Sequence, residues 1–237
     1  MSIVVEIAVQ DAAGAAVALG AGATRLELCQ ALDVGGLTPS LGLLESVLAA
    51  VDPRTVNVLV RPRGGGFVYD ADEVAVVTAD IAACVTRGVG GVVVGALTAD
   101  GLLDADAVRR WRDAAGTATL TFHRAIDAAA DPVAVLDALV TAGVDRVLTS
   151  GGAARSADGI PALRAFVARA GGALEIQAGG GVRPGDIPAL RAAGVPAVHL
   201  SARARAGEGI PSGPGGGAEG HDVTSAAIVA AAVAAAA

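Results

Sequence analysis

The chain contains no lysine, since all 17 of its basic residues are arginine. A Schiff-base mechanism requires a lysine amine, so aldolase chemistry of that kind is excluded. Aromatic residues make up only 2% of the chain, and 24 acidic residues outnumber the basic ones. Stacking on bases and attraction to phosphate backbones or anionic lipids are therefore not expected. We predict neither nucleic acid nor a membrane as a partner.

The cysteine content is also low, with Cys29 and Cys84 as the two thiols. They lie in different predicted elements without a CxxC spacing, so neither a disulfide framework nor a zinc site is indicated. The first residues alternate like a strand and reach Glu6 without a basic segment, which is not typical of a signal peptide. The apolar run 225–237 is too short and too alanine-rich to span a bilayer. We predict a cytoplasmic protein.

A short apolar strand followed by a helix is the pattern that recurs along the chain. Apolar residues make up 53% of it, and the pattern predicts eight strands separated by helices. The predicted strands are 3–9, 25–29, 56–61, 91–96, 118–123, 145–149, 174–178 and 197–201. The predicted helices are 11–20, 41–51, 71–87, 104–115, 132–142, 160–170, 185–193 and 222–237.

Eight such units in this length predict an α/β fold, a single (β/α)8 barrel with parallel strands over residues 1–237. A doubly wound open sheet has the same order of elements and is the alternative. Asp11 and Ser40 are predicted helix caps, and glycines follow most helices. The Gly/Pro-rich segment 203–221 predicts a flexible loop after strand eight, either a disordered insertion or a lid.

Polar residues alternate with apolar ones along several predicted strands and are expected to face the barrel interior. Strand five is the clearest case, because Thr121 and His123 share one face. The predicted inward set is Glu6, Ala8, Glu27, Cys29, Asn57, Arg61, Thr121, His123, Thr149, Glu175, Gln177, His199 and Ser201. Catalytic groups of barrel enzymes lie at the carboxyl ends of the strands. The candidate catalytic residues are therefore Glu27, His123, Arg124 and His199, with a buried structural role as the alternative for both histidines.

Arginines and glycine-rich loops together predict an anion site. Arg61 and Arg63 precede three glycines, so guanidinium and backbone N–H groups can converge on one anion. The alternative is a salt bridge to Glu27, which would keep that carboxyl ionised. The loops after strands seven and eight lie where barrels often bind phosphate. The predicted anion-binding residues are Arg61, Arg63, Gly179, Gly180, Gly181 and Ser201, and the anion is a phosphate or a carboxylate.

Metal ligands are few in this sequence. Cu(I) prefers sulfur ligands, and Cys29 is the candidate at a strand end. The sequence is also compatible with a harder metal held by Glu6, Glu27, His123 or His199. The same residues could equally form a pocket that holds no metal.

Seven segments together resemble the CutC family of copper-homeostasis proteins. They are Arg25-Leu-Glu-Leu-Cys29, Gly35-Gly-Leu-Thr-Pro-Ser40, Arg61-Pro-Arg-Gly-Gly-Gly-Phe67, Thr121-Phe-His-Arg-Ala125 with Asp127, Arg146-Val-Leu-Thr-Ser-Gly-Gly152, Ala178-Gly-Gly-Gly181 and His199-Leu-Ser-Ala202. The resemblance implies a cytoplasmic TIM barrel linked to copper, with a polar pocket at its C-terminal face. It also implies copper-binding cysteines in the first two strands. Cys29 matches the second, but Ala8 stands at the first, so a two-thiolate copper site is not expected.

Three functions follow from these observations. The first is copper homeostasis, by direct copper binding or by an indirect cellular route. The second is an enzyme that applies acid/base chemistry to a small anionic metabolite. The third is a non-catalytic scaffold or homo-oligomer. Copper is the one cofactor that the sequence suggests.

Overall fold

A closed barrel of eight parallel strands forms the centre of the protein. The computed structural model describes residues 3–207 and 220–237. Each strand pairs with its neighbours in sequence, and the first also pairs with the eighth to close the barrel. The barrel strands are β1 (Val4–Val9), β2 (Arg25–Leu28), β3 (Val56–Leu59), β4 (Gly91–Val94), β5 (Thr119–Phe122), β6 (Arg146–Thr149), β7 (Glu175–Gly179) and β8 (Ala197–Leu200).

Helices alternate with these strands and cover the barrel. They are α1 (Ala12–Gly20), α2 (Leu41–Ala50), α3 (Ala71–Val85), α4 (Ala105–Ala115), α5 (Pro132–Thr141), α6 (Ile160–Ala170), α7 (Ile187–Ala192) and α8 (Ala226–Ala236). The predicted (β/α)8 barrel with parallel strands is confirmed, and the open-sheet alternative is wrong because β1 pairs with β8.

The predicted helix starts are explained by side-chain caps. The carboxylate of Asp11 accepts a hydrogen bond from the backbone N–H of Gly14, and the hydroxyl of Ser40 accepts one from Leu43. Each cap satisfies a backbone donor that has no partner inside the helix. The left-handed glycine that follows α1 is Gly22, at a φ of 99°.

The strands present an apolar layer outward and a mixed layer inward. Outward residues such as Ile7, Leu26 and Val58 pack against the helices in one continuous core. Strand β6 has the opposite parity to the prediction. Arg146 reaches inside and donates to Thr121 on β5, so Thr149 faces the other way, toward Asp127. The partly buried ion pair of Arg146 with Glu175 explains how an arginine can occupy an inward position.

Several predicted strand ends lie beyond the ladder. His123 follows β5 and caps a 3-10 turn at Arg124–Ala128, and Ser201 lies one residue after β8. His123 and Ser201 thus sit at the start of loops, whereas Glu27 and His199 lie in the last two residues of β2 and β8.

The segment after β8 departs from a simple loop at both ends. Strands β9 (Arg203–Ala206) and β10 (His221–Thr224) form an antiparallel pair, and Arg203 contacts Asp222 at 2.7 Å. Backbone pairing therefore organises the ends of the predicted flexible segment, and helix α8 starts after Ser225 rather than at 222. The rest of that prediction, over 208–219, lies outside the described residues.

Candidate functional site

A pocket of about 310 Å³ opens at the carboxyl ends of the barrel strands. Its volume is at the small end of the range for ligand sites, roughly 300 to 1,000 Å³. The polar side chains in its wall are Glu27, Arg61, His123, Arg124, His199, Ser201 and Arg203. Gly180 and Gly181 and the apolar side chains of Leu32, Leu59, Phe67, Leu148, Val182 and Leu200 also contribute.

A buried carboxylate, Glu6, anchors the polar layer beneath this pocket. Its two oxygens accept hydrogen bonds from four side chains: Arg25 at 2.7 Å, Asn57 at 3.1 Å, Gln177 at 2.6 Å and His199 Nδ1 at 2.9 Å. Although burial alone would raise the pKa of Glu6, the hydrogen bond from His199 and the charge of Arg25 outweigh it and hold the pKa at about 2. Glu6 is therefore an ionised structural carboxylate.

Glu27 is the second carboxyl of this region, and it is not saturated. Its side chain is buried, and its Oε2 atom has no hydrogen-bond partner among the described residues. Burial raises the pKa of Glu27 to about 7, because the positive charge of His199 only partly offsets the lost hydration. The predicted salt bridge of Arg61 or Arg63 to Glu27 is wrong, and so is the expectation that it keeps Glu27 ionised. A carboxyl with such a pKa can both accept and release a proton near neutrality.

His199 links the two carboxyl groups. Its Nδ1 atom bonds to Glu6, and although burial lowers the pKa of His199, the charges of Glu27 and Glu6 raise it above its usual value. Its ring lines the pocket.

His123 lines the pocket and is the first residue after β5. Its Nδ1 atom accepts a hydrogen bond from the backbone N–H of Ala125 at 3.2 Å, and its Nε2 atom is buried without a partner among the described residues. Burial and the nearby charge of Arg61 lower the pKa of His123 to about 3. The ring is therefore neutral, and it packs 4.9 Å from the ring of Phe67.

Arg61 brings a buried positive charge to the pocket. Its Nη atoms donate to the carbonyls of Val34, Gly36 and Gly65, and its Cζ atom lies 5.2 Å from the centre of the Phe67 ring. Among residues 3–207 and 220–237 no carboxylate forms an ion pair with it, and its Nε atom has no partner. A buried charge without a counter-ion is costly, so a bound anion would be favoured here.

Arg124 supplies a second guanidinium, and hydrogen bonds to two side chains fix its position. Its Nε donates to Asp127 at 2.8 Å, and its Nη2 donates to the hydroxyl of Ser150 at 3.1 Å. Asp127 also accepts from Thr149 and from the backbone N–H of Gly152. Asp127 therefore fixes Arg124 beside the glycine loop, where a side chain on Gly180 would come within 3.0 Å of the guanidinium.

The structure brings most of the predicted site residues together. Glu27, His123, Arg124, His199, Arg61, Gly180, Gly181 and Ser201 all line the pocket. Arg63 lies outside its wall, where it pairs with Glu73 and stacks 5.1 Å from the ring of Tyr69. Gly179 does not line the pocket, and a β-carbon at this position would clash with Leu148, which does.

Cys29, the predicted metal ligand, is fully buried in an apolar cluster with Leu59 and Val93. Burial and the nearby Glu27 carboxylate raise the pKa of its thiol, which disfavours the thiolate that copper needs. A Cu(I) site does not fit this environment. Glu6, Glu27 and His199 have ligand atoms within 4.8 Å of one another. Glu6 already accepts four hydrogen bonds, and these would compete with a metal for its oxygens.

One contribution to the site was not predicted from the sequence. Gly95, directly after β4, leaves the space that the His123 ring fills, and a glycine at that position gives no signal of that role. Arg203 belongs to the loop after strand eight that was expected to favour an anion. It lines the pocket and pairs with Asp222.

The fold and the site define the class of protein, a parallel (β/α)8 barrel with an arginine-bearing pocket at the carboxyl ends of its strands. The CutC family profile matches residues 3–204. A CutC family protein of Xanthomonas campestris is 46% identical over 199 residues, which cover 84% of this chain and 82% of that protein. One of Chromobacterium violaceum is 39% identical over 226 residues, or 94% and 91% of the two chains. This chain belongs to the CutC family.

Solved structures agree with that assignment. A candidate copper homeostasis protein CutC of Streptococcus agalactiae superposes with a TM-score of 0.77 at 30% identity, over 84% of this chain and 98% of that one. A candidate phosphonomutase of Burkholderia cenocepacia, at 20% identity and a TM-score of 0.61 over 83% and 86% of the two chains, shares the fold alone. Within the described part of the chain, every helix is too short or too polar to cross a bilayer.

Proposed function

We propose that this chain acts in copper homeostasis in the cytoplasm, and that it does so by binding a small anionic molecule in the pocket rather than by holding copper on Cys29. The name of the Streptococcus agalactiae relative supports the cellular role. The molecular role rests on one observation, the buried Arg61 guanidinium that has no carboxylate partner among the described residues.

The surroundings of Arg61 support an anion as the ligand. Arg124 adds a second guanidinium to the lining of the same pocket, and its orientation is fixed by Asp127. The loop at Gly180 and Gly181 has no side chains, so a ligand can approach its backbone. Phosphate and carboxylate groups both suit guanidinium donors.

Unpaired thiols are consistent with a reducing compartment. Cys29 and Cys84 are both free and buried, as expected where disulfides are rare. This supports the cytoplasmic location in the proposal.

The test is to complement a strain that lacks its own CutC and to measure its growth at increasing copper concentrations. We expect the Cys29→Ser variant to restore the wild-type copper tolerance and the Arg124→Gln variant to fail. Arg169→Gln, which removes a surface arginine paired with Asp137, is the matched control and should complement fully. Failure of Cys29→Ser, with a normal level of folded protein, would contradict the proposal.

The anion site is tested separately on the purified protein. Calorimetric titration with inorganic phosphate and with acetate is expected to show binding of at least one of them, weakened about tenfold or more in Arg124→Gln. No heat of binding with either anion would refute the pocket as an anion site.

A second candidate function is favoured by Glu27. Its unpaired Oε2 atom and its pKa of about 7 are typical of a general acid or base. In this case the chain is an enzyme, and copper tolerance reflects the metabolite that it converts.

A further inference from the structure

The hydrogen bonds of His123 fix which ring nitrogen carries the proton. A backbone N–H can only donate, so Nδ1 of His123, which contacts the N–H of Ala125 at 3.2 Å, is the acceptor. The proton of the neutral ring is therefore on Nε2, the atom that has no partner among the described residues. His123, a residue of the pocket lining, therefore has an unused hydrogen-bond donor at Nε2 and cannot act through that atom as a base.

The two carboxyl groups of the region have different capacities. Glu6 accepts four hydrogen bonds and has no free lone pair directed at a ligand. Glu27 lines the pocket and has a free oxygen. Of this pair, only Glu27 can take a proton from a bound molecule.

Covalent catalysis has little support in the pocket. Cys29 does not line it, and lysine is absent from the chain. Ser201 lines it, but no hydrogen bond joins its hydroxyl to a base among residues 3–207 and 220–237. A serine without such a base is a weak nucleophile. The unpartnered groups in the pocket lining, on Glu27 and His123, are suited to proton transfer.

We propose that the pocket catalyses proton transfer at a carbon next to the carbonyl group of a small phosphorylated or carboxylated compound, with Glu27 as the base and the Nε2–H of His123 as the hydrogen-bond donor to the carbonyl oxygen. This inference rests on the proposed anion site, in which Arg61 and Arg124 hold the charged end of the compound. The anion would fix the distance between the reacting carbon and Glu27.

The step is balanced without an oxidant or a second substrate. The Glu27 carboxylate takes the proton, the electron pair of the C–H bond forms a carbon–carbon double bond, and the carbonyl oxygen becomes an enolate oxygen. The Nε2–H of His123 stabilises the charge on that oxygen. The protonated Glu27 then returns a proton to the carbon, so the enzyme is restored. Exchange of the Glu27 proton with solvent between the two steps would label the substrate.

The experiment is proton NMR of substrate exchange in D₂O with the full-length protein. The probes are dihydroxyacetone phosphate and 2-oxobutyrate, one phosphorylated and one carboxylated carbonyl compound. We expect the wild-type protein to accelerate exchange of the hydrogens next to the carbonyl for at least one probe. Glu27→Gln should lower the rate by about 100-fold or more, as for loss of a general base. Glu45→Gln, a surface carboxylate paired with Arg87, is the control and should leave it unchanged.

The role of His123 is separated from a merely structural one by two variants. His123→Leu removes the donor and should lower the exchange rate by about 100-fold. His123→Gln keeps an N–H donor and should recover part of that loss, which a packing role would not produce. Equal rates for both folded variants would overturn the assignment of His123.

The outcomes also separate the proton-transfer proposal from the anion-site proposal on which it rests. If phosphate or acetate binds in an Arg124-dependent manner but neither probe exchanges, the proton-transfer proposal is wrong and the anion site stands. If neither anion binds and neither probe exchanges, both are wrong. Exchange that survives Glu27→Gln unchanged would overturn the role of Glu27.

Discussion

Gly95 and the imidazole of His123 lie in such close contact that a β-carbon at position 95 would come within 2.4 Å of the ring. The His123 ring also packs against the Phe67 ring, with 4.9 Å between the two ring centroids, which restricts its movement. We predict that Gly95→Ala displaces His123 and costs about 1–3 kcal/mol of unfolding free energy, as overpacking does. Urea denaturation measures this loss, and substrate exchange in D₂O should fall with it.

Gly42→Ala is the matched control for that substitution. Gly42 lies in the first turn of α2, where an added β-carbon meets no atom within 4 Å. We expect a slight gain in stability and an unchanged pocket, because alanine has the better helix propensity. A Gly95→Ala variant as stable as Gly42→Ala would show that the wall around His123 is looser than described.

The pH dependence of stability should contain two opposite contributions. The pKa of His123 falls from 6.5 to about 3 on folding, so between these values the unfolded state binds more protons and stability is lost as the pH falls. The pKa of Glu27 rises from 4.5 to about 7 on folding, so between these values the folded state binds more protons and stability is gained as the pH falls. The charged group that acts on the pKa of His123 is Arg61. The charged groups that act on the pKa of Glu27 are His199, Glu6, Arg146 and Arg25.

The two contributions nearly cancel between pH 4.5 and pH 6.5 in the wild-type protein. In Glu27→Gln, stability should fall on acidification across this window, by at most about 1.4 kcal/mol per pH unit. In His123→Gln, stability should rise on acidification instead. Chemical denaturation at a series of pH values measures both slopes. Slopes of the same sign in the two variants would contradict the assigned pKa directions.

Asp127 is predicted to act through Arg124 rather than on the ligand. Asp127→Asn removes the ion pair at 2.8 Å and places an N–H₂ group among donors from Thr149 and Ser150. Phosphate affinity should fall about tenfold, and the free energy of unfolding by about 1–3 kcal/mol. Asp137→Asn, at an exposed pair with Arg169, should change neither. Calorimetry and urea denaturation together test this, and wild-type phosphate affinity in Asp127→Asn would contradict it.

The sequence was sufficient for the barrel because its signals are local. Short apolar runs, capping residues such as Asp11 and left-handed glycines after helices recur in most units, so the order of elements follows from neighbours in the chain. Strand β6 was predicted with the wrong parity because its inward residue, Arg146, is charged. Its placement depends on Glu175 and Thr121, partners 29 and 25 residues away.

The positions of residues at strand ends predicted which side chains line the pocket. They did not predict which hydrogen bonds and ion pairs these side chains form. Arg61 and Arg63 are two residues apart, yet one faces the pocket and the other bonds to Glu73 outside it. The sequence also suggested that an arginine keeps Glu27 ionised. The structure gives the available hydrogen bonds to Glu6 instead, and burial then raises the pKa of Glu27. Which of two carboxyl groups is saturated is a property of the assembled barrel.

The last prediction concerns the thiol that the sequence suggested as a copper ligand. Cys29 has no exposed surface, and its Sγ atom lies 3.9 Å from the carbonyl oxygen of Val9. Burial also raises the pKa of Cys84, to about 11. Both thiols should therefore resist a thiol-specific reagent in the folded protein and react once it is unfolded. The rate of thiol modification is measured with and without denaturant, from the absorbance of the chromophore that the reagent releases on reaction.

Copper(I) titration against a competing chelator extends this test to the metal. We expect the wild-type and Cys29→Ser proteins to compete equally, because the native thiol is neither exposed nor ionised. Cys84→Ser, in helix α3, is the matched control for loss of a buried thiol. Strong competition by the wild-type protein that Cys29→Ser alone abolishes would show that the barrel opens to admit copper. The direct copper-binding hypothesis would then replace the anion pocket as the explanation of copper tolerance.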